Sequence, residues 1–313
     1  MNSPLVRAVS AMFGGGLLVL LFLAVYDWIV SEYPSRPAER ANSERIQHPL
    51  FHEQAKKALL RFSQLPESEK AAIKNSLKSD LISVDQWLTH LEASDYRIIC
   101  LGEIHAESTR IFLAEAFFSR FDPDVLLLEA TPEQLQRLVE RMRAGRDYFP
   151  LLGADIMKIL RTVTGRNPRI EIRGIEATEA QRKRSQSRDQ IIARNFWDRF
   201  QPGKRHVILF GALHCANDPN WLYNNLYDQA SIPLKARMLN LRVLEEHQRG
   251  PVEAFVYFLD EIGIEKNHFV IPDTSSLHPR VEELLQMLYW QSAEKYRSVV
   301  IFRANKIAYT PGN

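Results

Sequence analysis

From Tyr96 onward the chain alternates between short, nearly continuous apolar runs and longer segments with helical periodicity. Arg97–Leu101 is followed by a helical pattern over Ser108–Phe121, Val125–Leu128 by Pro132–Arg143, and Ile170–Ile175 by Glu179–Phe200, ahead of His206–Phe210. A strand that is apolar at successive positions is buried on both faces, and a helical crossover is what joins parallel neighbours. The pattern therefore predicts an α/β fold, a mostly parallel sheet flanked by helices. Ala236–Leu241, Phe255–Leu259, Phe269–Ile271 and Val299–Arg303 read as further strands. Residues 145–168, punctuated by Gly145, Pro150, Gly153, Gly165 and Pro168, read as an insertion over the sheet.

The segment ahead of this domain has a different character. Nineteen residues from Ala8 to Tyr26 carry no charge. As a helix they would span roughly 28 Å, the thickness of a bilayer's hydrocarbon core. We expect a single N-terminal transmembrane segment over residues 8–30, with Trp28 and Tyr33 at the interface. A cleaved signal peptide and a buried core helix are the competing readings. The Pro- and Ser-bearing stretch 31–48 reads as a linker, 49–93 as a helical N-terminal extension, and 94–313 as the α/β domain. Within the extension, Ser83 and Gln86 have the spacing of a capping box ahead of Trp87, Leu88 and Leu91. Most of the chain follows the apolar run, so the expected location is the membrane, single-pass, with the globular domain exported (periplasmic or extracellular).

Open parallel sheets bind ligands at the carboxyl ends of their strands. Those ends carry Gly102-Glu103-Ile104-His105, Glu129, Gly174-Ile175-Glu176 and Gly211-Ala212-Leu213-His214. If the first strand stays extended, Glu103 and His105 project to the same side. Each glycine would allow close backbone approach or a positive φ ahead of its imidazole. His105, His214 and Glu129 together could ligate a divalent metal. Without one, a Glu/His pair can activate water as a general base. Arg188 and Asn195 are seven residues apart and share a helix face, from which Arg188 could clamp a rim carboxylate or a substrate anion. The candidate site is thus Glu103, His105, Glu129, Arg188 and His214, with Glu176 a further rim carboxylate. Taken singly, each has an ordinary alternative: an edge histidine, a loop carboxylate, a solvated charge face. Cys215 adjoins His214, but neighbouring side chains point apart, which disfavours a nucleophile; Cys100 reads as a buried strand residue. Two cysteines exclude a disulfide-dense scaffold and a four-cysteine zinc module. With 40 Lys+Arg against 38 Asp+Glu, the net charge of +2 supplies no field for nucleic acid, which is not an expected partner.

Leu-Gly-Glu-Ile-His-Ala-Glu-Ser at 101–108 resembles the first motif of the erythromycin-esterase-like and ChaN-like proteins. The paired Gly-x-x-His motifs with Glu129 are similar to those of the Tiki/TraB group of the same superfamily. Arg188-Asp189 through Ala193-Arg194-Asn195 resembles the helix that precedes the second Gly-x-x-His in ChaN-like sequences. The resemblance covers about residues 95–216. It implies a family of macrolide-ester hydrolases, metal-dependent proteases of secreted ligands, and a haem-binding uptake lipoprotein. For this chain it implies hydrolysis of an ester or amide bond in a small molecule or peptide, with water activated by the Glu/His site either directly or through a divalent metal (Mn, Zn or Co). The alternative it implies is a haem- or metal-binding uptake protein of the ChaN type, without turnover. A non-catalytic interaction domain is a third possibility. Two departures stand out: Ala106 occupies a position often held by Asp or Gly, and no lipid-attachment cysteine follows the apolar run.

Overall fold

Alternating side chains along each strand divide between two hydrophobic layers. Ile98 and Cys100 face one layer while Ile99 and Leu101 face the other; Val125 and Leu127 separate in the same way from Leu126 and Leu128, and Ile208 and Phe210 from Val207 and Leu209. That division follows from the two-residue period of a strand and requires helices on both faces of the sheet. The computed structural model describes residues 49–145, 155–183, 187–246, 250–264, 266–277, 279 and 295–303. The expected membrane segment 8–30 and linker 31–48 lie outside the described residues. Among the described residues, no helix is long and apolar enough to cross a membrane.

The strands are β1 (Ile82–Ser83), β2 (Ile98–Glu103), β3 (Val125–Leu128), β4 (Glu171–Gly174), β5 (His206–Gly211), β6 (Met238–Glu245), β7 (His268–Ile271) and β8 (Ser298–Phe302). They form one eight-stranded sheet in the order β1-β7-β8-β6-β2-β5-β3-β4. All neighbours from β4 to β8 are parallel; β7 and β1 add antiparallel strands at one edge. One face is covered by the helices Pro49–Ser63, Glu67–Asp80, Arg188–Trp197, Leu222–Gln229 and Gly250–Glu261. The other is covered by Val84–Ala93, Glu107–Phe112 with its π-helical continuation Leu113–Phe117, Pro132–Arg143 and Asp155–Arg166. This is the mixed α/β architecture, mostly parallel and flanked by helices.

Several local expectations change. Phe255–Leu259 is not a strand but part of the helix Gly250–Glu261. Val252, Phe255, Val256 and Leu259 recur at helical spacing, but Ala254 and Phe258 are buried as well. This helix packs on the sheet and also on Pro49–Ser63, where Phe62 meets Phe258 edge-on at 5.8 Å, so its polar face narrows to Glu253, Tyr257, Asp260 and Glu261, and the five residues Phe255–Leu259 carry no charge to mark it. The segment Glu179–Phe200 breaks into Glu179–Arg182 and Arg188–Trp197, each started by its own capping box, Thr178 with Gln181 and Ser187 with Gln190. The insertion contains the amphipathic helix Asp155–Arg166, which buries Ile156, Ile159, Leu160 and Val163. The helical extension contributes to the main core through Ala55, Ala58, Phe62, Ile73 and Leu77, and the Ser83–Gln86 capping box forms with both bonds in place. Finally, Cys100 is buried in β2 but not free: it is joined to Cys215 by a disulfide across 115 residues.

Candidate functional site

The site lies at the carboxyl ends of β2, β5, β3 and β4. The parallel register sets Glu103 of β2 opposite Gly211 of β5. Both glycines of the paired motifs serve close approach. A Cβ on Gly102 would lie 2.9 Å from the Ala212 Cα, and one on Gly211 would lie 2.7 Å from His105 Nε2. The positive φ falls instead on His105 itself, at 54°. The strand therefore ends at Glu103, and a left-handed turn, not continued extension, brings the imidazole back over that carboxylate. A non-glycine residue in this region costs on the order of 1 kcal/mol, which the imidazole–carboxylate bond offsets.

One half of the site is built around that bond. His105 Nδ1 lies 3.0 Å from Glu103 Oε1, and the imidazole is 49% exposed. Buried Arg110, one helical turn further on, holds Glu103 through Nε at 2.9 and 3.1 Å and through Nη2 at 2.8 Å. Burial pushes the Glu103 carboxyl up, but the hydrogen bond from His105 and the charge of Arg110 hold it below its ordinary value. The same hydrogen bond from Glu103 raises His105 above the ordinary imidazole value; burial opposes, and the charges of Glu103 and Glu129 reinforce.

The other half is built around Arg188. Its Nε donates to Glu176 Oε1 at 2.9 Å, and its Nη2 donates to Glu176 Oε2 at 2.5 Å and Glu129 Oε1 at 2.6 Å. Its Nη1 lies 3.0 Å from His214 Nε2. Burial pushes Glu176 up, while Arg188, Arg182 and the Ala177 N–H hold it below the usual carboxylate range; Arg188 is itself raised by the hydrogen bond to Glu176. His214 is buried, with Nδ1 on Asp189 Oδ2 at 2.8 Å and the rings of Phe210 and Trp221 edge-on at 5.7 and 5.6 Å. Donation from Nδ1 to Asp189 leaves the Nε2 lone pair for Arg188.

Glu129 joins the halves. Its Oε2 accepts the Gly211 N–H at 2.9 Å and lies 3.4 Å from His105 Nε2, while Oε1 lies 3.7 Å from His214 Nε2. All five sequence candidates thus converge, and Glu176 joins them. Asn195 does not; it bonds Gln181 and the Ile175 carbonyl, bracing the turn behind Glu176. Two residues were missed as site members. Asp189 stands in the recognised Arg-Asp pair, and Arg110 is signalled only by its distance of seven residues from Glu103 across a turn, which a sequence cannot resolve.

The donors do not fit a divalent metal as they stand. His105, His214 and Glu129 do face one another, but Arg188 already bonds Glu129 Oε1 and His214 Nε2, and Gly211 takes Glu129 Oε2. Among the described residues, no group of three or more His, Cys, Asp or Glu is disposed to hold a metal ion.

No family model matches the chain, and none of the curated proteins matches it. Among solved structures, it is similar to one described as "Crystal structures reveal a thiol-protease like catalytic triad in the C-terminal region of Pasteurella multocida toxin", at 11% identity and a TM-score of 0.28. That likeness covers 51% of this chain and 26% of the other, so the chain spans about a quarter of that protein's length, and at this TM-score it carries no argument.

Proposed function

We propose that this protein is a hydrolase of an ester or amide bond, anchored in the membrane by its N-terminal apolar segment with the α/β domain exported. The observation that carries the reading is the half-exposed His105, backed on Nδ1 by an ionised, Arg110-clamped Glu103. We place the proton on Nδ1, donated to the ionised Glu103 at 3.0 Å with Arg110 Nη2 3.1 Å from the same nitrogen, which leaves the Nε2 lone pair toward the rim beside Glu129. Nε2 takes a proton from water as the water attacks the substrate carbonyl. Four N–H groups of Arg188 are bonded to Glu176, Glu129 and His214; the fifth, on Nη1, has no partner among the described residues and meets the developing oxyanion. The imidazolium, held between Glu103 and Glu129, returns its proton to the leaving alkoxide or amine. Positioned acid–base catalysis of this kind contributes about 10²–10⁴-fold.

The same reading groups the chain with the erythromycin-esterase-like, ChaN-like and Tiki proteins, supported by the meeting of both Gly-x-x-His motifs at one rim. Export is supported by the Cys100–Cys215 disulfide, a bond that persists in oxidising compartments. A small molecule or a peptide is the substrate class.

The test uses the full-length chain in detergent with p-nitrophenyl acetate and a peptidyl aminomethylcoumarin as probes. Turnover of at least one probe is expected, insensitive to chelator and at least about 10²-fold lower in His105→Ala. Turnover that chelator removes and Mn, Zn or Co restores would replace this reading with the metal enzyme. A Soret band on haem addition, with neither probe turned over, would replace it with the uptake protein.

A further inference from the structure

We infer that the Cys100–Cys215 disulfide and Tyr296 form a positioning clamp for His214, the ring that holds Arg188 across the rim from His105. His214 sits in the four-residue 3-10 turn Ala212–Cys215, which begins where β5 stops and so has no strand ladder to fix it. The turn is tied from elsewhere. Buried Tyr296 donates its hydroxyl to the Ala212 carbonyl at 2.7 Å. Asn240 of β6 donates to the Cys215 carbonyl at 3.0 Å and to the Lys295 carbonyl at 2.7 Å, and the Asn217 N–H donates to that same Lys295 carbonyl at 2.8 Å. The disulfide adds a covalent tie to β2, both cysteines being fully buried.

The position of the bridge distinguishes it from a general staple. Cys215 follows His214 directly, and Cys100 precedes Glu103 by three residues on the strand that delivers His105. The bond therefore links the two imidazole motifs immediately behind the rim. A disulfide that only constrains the unfolded chain changes stability and leaves ring geometry alone. A positioning clamp changes His214 itself, whose Nδ1 contact to Asp189 and Nε2 contact to Arg188 require the turn to hold still.

The test labels histidine ring nitrogens with ¹⁵N in the full-length chain in detergent and compares the wild type with C100A/C215A and Tyr296→Phe, His214→Gln supplying the assignment. In the wild type, His214 is expected to show a single tautomer with the proton on Nδ1; in each variant, a mixture of both. Turnover of p-nitrophenyl acetate is expected to fall about tenfold at unchanged KM. Only this second readout rests on the proposed hydrolytic function. Altered ring signals in a protein whose wild type turns over neither probe would support the clamp and overturn the hydrolase. Unchanged His214 signals in both variants, with only a lower melting temperature, would overturn the clamp. Should C100A/C215A fail to fold, Tyr296→Phe, which removes one hydroxyl, decides alone.

Discussion

The two Gly-x-x-His motifs are spelled alike and fold differently. After Gly102 the chain stays in β2 for one more residue and then turns left-handed at His105, which leaves that imidazole half exposed. After Gly211 the chain enters a 3-10 turn, and His214 is buried under Phe210 and Trp221. Both rings put Nδ1 on a carboxylate, but Glu103 ends the strand that leads directly into His105, whereas Asp189 lies on a helix, 25 residues before His214. Nε2 then differs in kind: in His105 it faces the open rim beside Glu129, and in His214 it accepts from Arg188. One motif leaves a half-exposed imidazole at the rim, and its twin buries an imidazole against the Arg188 guanidinium.

The largest effect expected from this contrast concerns turnover. His105→Gln should lower it about 10³-fold, whereas His214→Gln, which removes one of Arg188's three partners and leaves Glu176 and Glu129 in place, should lower it about tenfold. The double variant should lie close to His105→Gln, because groups acting on one transition state are not additive. Measured with p-nitrophenyl acetate, equal losses in the two single variants would break the distinction and make the imidazoles equivalent partners.

What made the motifs legible was their place at strand ends. Val125–Leu128 and Pro132–Arg143 have the expected bounds, because their apolar periods are interrupted by Pro123 and Pro132 and by Gly145. The convergence of Glu103, His105, Glu129, Arg188 and His214 was likewise readable, since a parallel sheet gathers the carboxyl ends of its strands at one edge. Contacts made across that edge were not. Nothing local to Cys100 or Cys215 states that residues 115 apart meet, and nothing near Arg110 states that it turns back onto Glu103. The occupation of the would-be metal position by Arg188 was also hidden, because a helix face fixes direction but not reach. Gly250–Glu261 failed for a different reason: its polar stripe is carried by Glu253, Asp260 and Glu261, outside the uncharged run Phe255–Leu259, so that run taken by itself reads as a strand.

A third imidazole calibrates the other two. His206 opens β5 at the amino end of the sheet, fully buried against Phe196 and Phe200, with Nδ1 3.1 Å from the Lys204 carbonyl and Nε2 accepting the Gln201 N–H at 3.4 Å. Burial lowers it from 6.5 to about 4. Protonation therefore favours the unfolded chain, and stability intact above 6.5 is lost progressively as pH falls towards 4. At pH 5 the loss from this group is about 2 kcal/mol. Urea unfolding at pH 7.5 and 5.0 should show this decrement in the wild type, and His206→Phe should reduce the pH dependence by that amount. An unchanged pH dependence would remove burial as the factor that separates the histidines.

The smallest expected effect is the most specific to the rim. His105 is raised above 6.5 by the Glu103 hydrogen bond first, with burial opposing and the charges of Glu103 and Glu129 adding to it. Because Nε2 must be unprotonated to accept water's proton, the acid limb of kcat/KM should lie above the ordinary imidazole value and coincide with the His105 ring titration followed by NMR. The stability sign is opposite to that of His206: a group raised in the folded state stabilises fully below 6.5, and that contribution is lost as pH rises through its folded value. Glu129→Gln removes one of the two carboxylate charges and keeps an acceptor for the Gly211 N–H, so the limb and the ring titration should move down together by a modest amount. Glu103→Gln, which replaces the principal cause, should move both further. His214 faces the same Glu129 at 3.7 Å but is held by Asp189 and Arg188, so its ring signals should respond less than those of His105. A limb that stays fixed in Glu129→Gln while the His105 titration moves would show that the kinetic base is not His105, and the functional contrast between the two motifs would fall with it.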